Sequence, residues 1–154
     1  MSDYEFKDEL EFVNRLNEDD ELFEREFNNV RRDFPFKDCK QIHDFLSRNR
    51  GVIVLLKNTK PLLKKYAPYA SVHLELDVDP IFVPQLLVVV KALEHDFNNG
   101  FKEDISSMRS DILPLKSKLG LNKEFFIYDK FANEDNISAL TFLDMCLIDE
   151  KNRN

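Results

Sequence analysis

Ser71-Val72-His73-Leu74-Glu75-Leu76-Asp77-Val78-Asp79-Pro80 is the stretch that decides the fold class. Val72, Leu74, Leu76 and Val78 alternate with His73, Glu75, Asp77 and Asp79. This is the period of two expected of a strand with one face on a core and the other polar. Asp79-Pro80 stops it, because proline has no N–H to give to a ladder. Pro84 precedes a second apolar stretch, Gln85 to Ala92, with Leu86-Leu87-Val88-Val89-Val90 at its centre. That run reads as a strand buried on both faces or nearly so. The short gap between the two strands allows an antiparallel pair.

Downstream, Phe101, Ile105, Met108, Ile112, Leu115 and Leu119 recur at steps of four and three. The spacing predicts an amphipathic helix, kinked or broken near Pro114 and ended by Gly120. Glu124 to Phe131, with Phe125-Phe126-Ile127-Tyr128, supplies a third strand. Residues 136–148 fit a last helix capped by Asn136, with strand alternation as the alternative.

Upstream, Phe6, Leu10, Val13 and Leu16 lie at helical spacing, as do Phe23, Phe27, Val30 and Phe34. Asn17 to Asp20 separate the two stripes and Pro35 ends the second, which gives a helical hairpin or a long broken helix. Asp38 with Gln41 forms a capping-box pattern before the apolar face of Cys39, Ile42, Phe45 and Leu46. Gly51 suits the C-terminal cap of that helix. Residues 52–57 are ambiguous: β-branching favours a strand, but Val52, Leu55, Thr59, Leu62 and Tyr66 repeat helically. The longer pattern favours a helix, restarted near Pro61 with Thr59 as its cap.

The assembly expected is α+β: a small antiparallel sheet of about three strands covered by helices. Residues 1–36 form a helical N-terminal arm and 37–150 the α+β domain. The predicted core comprises Val72, Leu74, Leu76, Val88, Val90, Ile105, Met108, Ile112, Phe126 and Tyr128. Phe6, Leu10, Val13, Phe23 and Phe27 must also meet something apolar, either the body of the same chain or a second copy in a homodimer.

Composition agrees and excludes alternatives. The 154 residues suit one domain. With only 3 Gly and 6 Pro, a fold built on many tight turns is disfavoured. The acidic start, Met1-Ser2-Asp3-Tyr4-Glu5, lacks the pattern of a signal peptide. The longest apolar runs, Val52–Leu56 and Leu86–Val90, are far too short to span a bilayer. A cytoplasmic protein without membrane contact is expected. Cys39 and Cys146 lack CxxC spacing and read as free, buried thiols, with a redox pair as the alternative.

The stretch Tyr66-Ala67-Pro68-Tyr69-Ala70, then Val72 to Asp79 with Pro80, then Leu86 to Val90, resembles a pattern in small bacterial and archaeal α+β proteins of uncharacterised function. Those combine an aromatic-x-Pro step, a Leu-Glu strand closing on Asp-Pro, a second apolar strand and a following helix. The resemblance covers about residues 60–130, and Ile81 stands where the pattern often has Glu. It implies an α+β fold and no catalytic residues.

The net charge of −7 is unevenly spread. Residues 1–26 carry 11 acids and 3 bases, 31–65 carry 10 bases and 3 acids, and 66–154 carry 15 acids and 9 bases. Glu18, Asp19, Asp20 and Glu21 are the candidate partner-binding patch, since acidic surfaces speed the capture of basic partners. In the basic segment, Arg31, Arg32, Lys64 and Lys65 are candidates for nucleic-acid contact. The pI of about 5.0 weighs against that use, and pairing with the acidic arm is the simpler account.

His73, Glu75, Asp77 and Asp79 share one strand face and supply the imidazole and carboxylates a divalent metal would need. A solvated outer face is the commoner meaning of the same pattern. His43 and His95 each neighbour an acidic residue and read as surface or half-buried. No GxSxG is present, and the isolated glycines exclude a P-loop or GxGxxG. No cofactor is expected. These features point to a non-enzymatic protein-interaction module acting through its acidic surface, such as an inhibitor, antitoxin-like or regulatory subunit. The alternatives are a metal-dependent hydrolase using the His73 face and a nucleic-acid contact through 31–65.

Overall fold

The computed structural model describes residues 3–78 and 83–132, with side chains described from Asp8 onward. Cys146, Asp79, the Phe6 side chain and the helix expected over 136–148 therefore lie outside the described residues.

The chain opens with two helices, α1 (Asp3–Glu18) and α2 (Asp20–Asp33). They meet at Asp19, whose extended backbone starts α2 and whose carboxylate accepts the Leu22 N–H at 3.1 Å. Acids in the first turn of α2 and Arg31 and Arg32 in its last turn complement the helix dipole. Next come α3 (Cys39–Arg48) and α4 (Gly51–Tyr66). The sheet is formed by β1 (Ser71–Asp77), β2 (Gln85–Ala92) and β3 (Phe125–Phe131). Between β2 and β3 run a single turn, α5 (Glu94–Asp96), an irregular turn through Phe101, and α6 (Lys102–Leu119).

The fold is α+β, as the sequence predicts, but the sheet is mixed. β1 and β2 are antiparallel, with His73 opposite Val89 and Leu74 opposite Val88. β3 lies on the other side of β2 and runs parallel to it, Leu86 beside Phe125 and Val89 beside Tyr128. The reason is the long crossover through α6, which returns the chain to the end of the sheet where β2 began.

Among the described residues, one contiguous cluster of buried side chains joins the N-terminal helices to the sheet and α6. It runs from Leu16, Phe23, Phe27 and Val30 through Val52 to Leu56, Leu74, Val88 and Val90, to Ile105, Met108, Ile112 and Ile127. The helical arm is thus folded back on the body, with Val13 packed partly buried against the same cluster. The fold-back buries Phe23 and Phe27 in the common core.

Several local expectations are corrected. Phe126 and Tyr128 are 40% and 50% exposed, whereas Phe125 and Ile127 are buried. The run Phe-Phe-Ile-Tyr is apolar on both faces, so its alternation cannot say which parity faces inward. Leu76 is only partly buried, near the end of β1. Asp38 makes no side-chain cap bond to α3.

Gly51 opens α4 rather than closing α3. Its role is close approach: a Cβ there would meet Leu121 Cδ1 at 3.1 Å. Residues 52–57 are helical, and Pro61 is accommodated within a continuous α4. Thr59 is no cap, since its hydroxyl donates back to the Leu55 carbonyl at 2.7 Å. Pro114 likewise sits inside an unbroken α6, which Gly120 ends in the left-handed conformation at φ 70°. Among the described residues no helix is long and apolar enough to cross a membrane.

Candidate functional site

The acidic patch lies where α1 turns into α2. Glu18, Asp19, Asp20 and Glu21 are all exposed, as are Asp8, Glu11 and Glu24 on the same two helices. Not all of this charge is idle. Asp19 caps α2, and Asp20 pairs with Arg50 at 2.7 Å while 86% of its side chain remains exposed. Glu24 meets His43 at 2.7 Å.

Arg50 acts as a clamp at this junction. It donates to the Leu16 carbonyl at 2.7 Å, satisfying an acceptor left over at the end of α1, and its guanidinium stacks 4.5 Å from the Phe23 ring centre. Glu26 lies 3.6 Å from Lys57, and Asp33 lies 2.6 Å from Lys60. Acids of α2 therefore do neutralise part of the basic segment, as the sequence balance implies. Among the described residues, no basic side chain comes within bridging distance of Glu18, Asp19 or Glu21.

The four basic candidates lie in two final turns: Arg31 and Arg32 at the end of α2, Lys64 and Lys65 at the end of α4. The Asp33–Lys60 bridge ties these helix ends together. Arg31 is half-buried, with its guanidinium 6.0 Å from the Phe27 ring centre, and Lys65 lies over the Tyr66 ring. Both positions complement the local helix dipole.

The polar face of β1 is not a uniformly solvated row. His73 is only 7% exposed, and its Nε2–H donates to Glu75 Oε1 at 2.6 Å. Asp77 is exposed at the strand end, and Asp79 lies outside the described residues. Among the described residues no three His, Cys, Asp or Glu side chains gather as a metal would require.

Burial lowers the His73 pKa, outweighing the contact with Glu75, while Lys91 and Lys130 lower it further. Burial alone would raise Glu75, but the His73 hydrogen bond, then the nearby charges of His73, Lys130 and Lys91, leave it lowered.

Both shifts carry one sign. The unfolded chain takes up a proton on His73 near its ordinary value of 6.5 before the folded protein does. Stability from this site is therefore full above that pH and is lost as pH falls through the folded value. Glu75 adds a loss in the same direction below its ordinary 4.5. Urea unfolding should show the native protein losing stability from pH 7.5 to 5.5, and His73→Gln should flatten that slope. Equal slopes in the two proteins would remove His73 as the source.

A further arrangement escapes sequence reading. Lys91 on β2 and Lys130 on β3 are registered neighbours in the parallel pair. Knowing this requires the direction of β3, and nothing local in the sequence encodes it. Beside β1, a groove of about 350 Å³ is lined by Lys37, Asp38 and Gln41 from the α3 side and by His73, Glu75 and Lys91 from the sheet. A larger, mainly apolar cleft of about 540 Å³ lies between α4 and α6, around Pro61 and Pro114. Beside it the Tyr66 hydroxyl donates to Asp111 at 2.7 Å. The chain matches no known protein family, no curated protein and no solved structure.

Proposed function

We propose that the protein is a non-enzymatic interaction module that captures a basic protein partner on the acidic outer surface of α1 and α2. The observation that carries this reading is the exposure of Glu18 and Glu21, with Asp8 and Glu11 also exposed on α1, on a hairpin tied to the body by Arg50. Charges fixed on a folded surface steer a complementary partner without first having to be ordered. Inhibitor, antitoxin-like and regulatory subunits are the classes that work this way.

The test uses Glu18→Ser with Glu21→Ser, which leaves the Asp19 cap and the Asp20–Arg50 bridge in place. Melting should stay within about 0.5 kcal/mol of the native protein, as for surface changes away from caps and buried networks. Association with a synthetic Lys/Arg-rich peptide should slow in the variant, and should slow in the native protein as salt rises. Binding that ignores both salt and the substitutions would reject the acidic surface as the capture site.

The hydrogen bond between His73 and Glu75 is the one observation behind a rival reading, a metal-dependent hydrolase using the His73, Glu75, Asp77 and Asp79 face. For it, Mn²⁺ or Zn²⁺ should raise the melting temperature with concentration, and EDTA should reverse the rise.

A further inference from the structure

The sheet places two lysines side by side on adjacent strands. Lys91 and Lys130 share a register position on adjacent strands, which lie about 4.8 Å apart. Lys91 is half-buried. Like charges facing one another across strands destabilise a sheet. Lys37, from the chain segment leading into α3, lines the groove that Lys91 also lines. Among the described residues, no carboxylate comes within bridging distance of Lys37, Lys91 or Lys130.

Two acids line the groove, Asp38 and Glu75, the latter hydrogen-bonded to His73 and acting on both Lys91 and Lys130, so the three lysines outnumber the acids by one. His73 itself is held neutral and can accept no anionic charge-pairing of its own at neutral pH. The Lys91 pKa is lowered, first by burial and then by Lys130, with Lys37 adding to the effect and Glu75 opposing it. A bound anion would relieve that repulsion.

We propose that Lys37 and Lys91, which line the groove between α3 and β1, together with Lys130 beside Lys91 on β3, bind a small phosphate-bearing molecule. The groove volume of about 350 Å³ sits at the small end of ligand pockets, which suits a compact ligand rather than a folded partner. Gln41 and the α3 side of the groove supply neutral hydrogen-bonding groups, and Phe36, Ile42, Leu74 and Leu76 supply an apolar floor. The lysines act as point charges on flexible stems, which fits recognition of a phosphate without a fixed orientation. The acidic surface of α1 and α2 lies on other elements and takes no part in this groove.

The experiment is thermal melting of the full chain in rising pyrophosphate or inorganic phosphate, with ionic strength held constant by sodium chloride. The native melting temperature should climb with the logarithm of anion concentration, more steeply for pyrophosphate. Lys91→Ala with Lys130→Ala should abolish the climb. Its melting temperature without anion should equal or exceed the native value, because a repulsion has been removed. Lys130→Ala alone, at an exposed position, should weaken the climb several-fold and guards against a folding defect in the double variant. Lys64→Ala with Lys65→Ala, on a different surface, should leave it intact. No climb in the native protein, a climb that survives in both Lys130 variants, or one lost equally in the Lys64/Lys65 variant would overturn the site.

Discussion

Phe23→Ala should destabilise the protein by about 3–5 kcal/mol, the range for emptying a fully buried phenylalanine site. Phe23 is 1% exposed and lies within the cluster that includes Leu16, Val52 and Ile53. Its ring stacks 6.3 Å from Phe27 and meets the edge of His43 at 5.4 Å, and Arg50 covers one face. Truncation removes the transfer free energy of the ring and leaves a cavity between α2 and α3. Collapse cannot easily fill it, because Arg50 is tied at once to Leu16, Ser47 and Asp20. The consequence reaches beyond α2. If the N-terminal helices were an appendage, the loss would melt the hairpin and leave the sheet's transition in place. In the fold seen here they share one core, so chemical denaturation should stay a single transition, shifted to lower denaturant. Two separated transitions, or a loss below 1 kcal/mol, would contradict the shared core.

What was legible in the sequence follows the strength of each local period. α1, α2, α3 and α6 each carry an apolar repeat over several turns, and β1 and β2 are bracketed by prolines and an unambiguous pattern. Their positions were readable because burial of one face imposes the period directly. The failures share a different cause. Phe125 to Tyr128 is apolar at every position, so neither its inward parity nor its direction is encoded locally; the α6 crossover sets both. Pro61 and Pro114 look like breaks, yet their helices continue, because packing on both sides outweighs the single backbone hydrogen bond each proline removes. Gly51 has a turn-former's identity and a packing residue's role.

The candidate site divides in the same way. The exposure of Glu18 to Glu21 could be read from charge alone. The burial of His73 could not, since it depends on what surrounds the outer face of the sheet. The Lys91–Lys130 juxtaposition depends on a parallel pairing between strands separated by more than thirty positions. A like-charge neighbour at such separation leaves no trace in composition or motif. The specific partner of Arg50 was also invisible: several acids were candidates, and only the hairpin's fold-back selects Asp20.

Leu74→Ala should cost about 2–5 kcal/mol, the range for Leu→Ala in a core. Leu74 is 3% exposed, faces the common cluster and stands opposite Val88, which is fully buried. Its own N–H donates outward to the Pro35 carbonyl at 2.9 Å, so β1 is pinned to the segment that joins α2 to α3. The substitution leaves that backbone bond in place and removes only the side chain, so the measured loss reports packing on the inner face. Tyr128→Ala is the matched control. It lies on the opposite face of the sheet at 50% exposure and should cost far less than Leu74→Ala. The comparison tests register, because a one-residue slip of β1 would turn the His73 row inward and the Leu74 row outward. Urea unfolding of the two variants then has a sharp reading. A large loss for Leu74→Ala with a small one for Tyr128→Ala fixes which face of the sheet is the core, and a loss below 1 kcal/mol for Leu74→Ala would reject the strand orientation on which the His73 groove and the Lys91–Lys130 pair both depend.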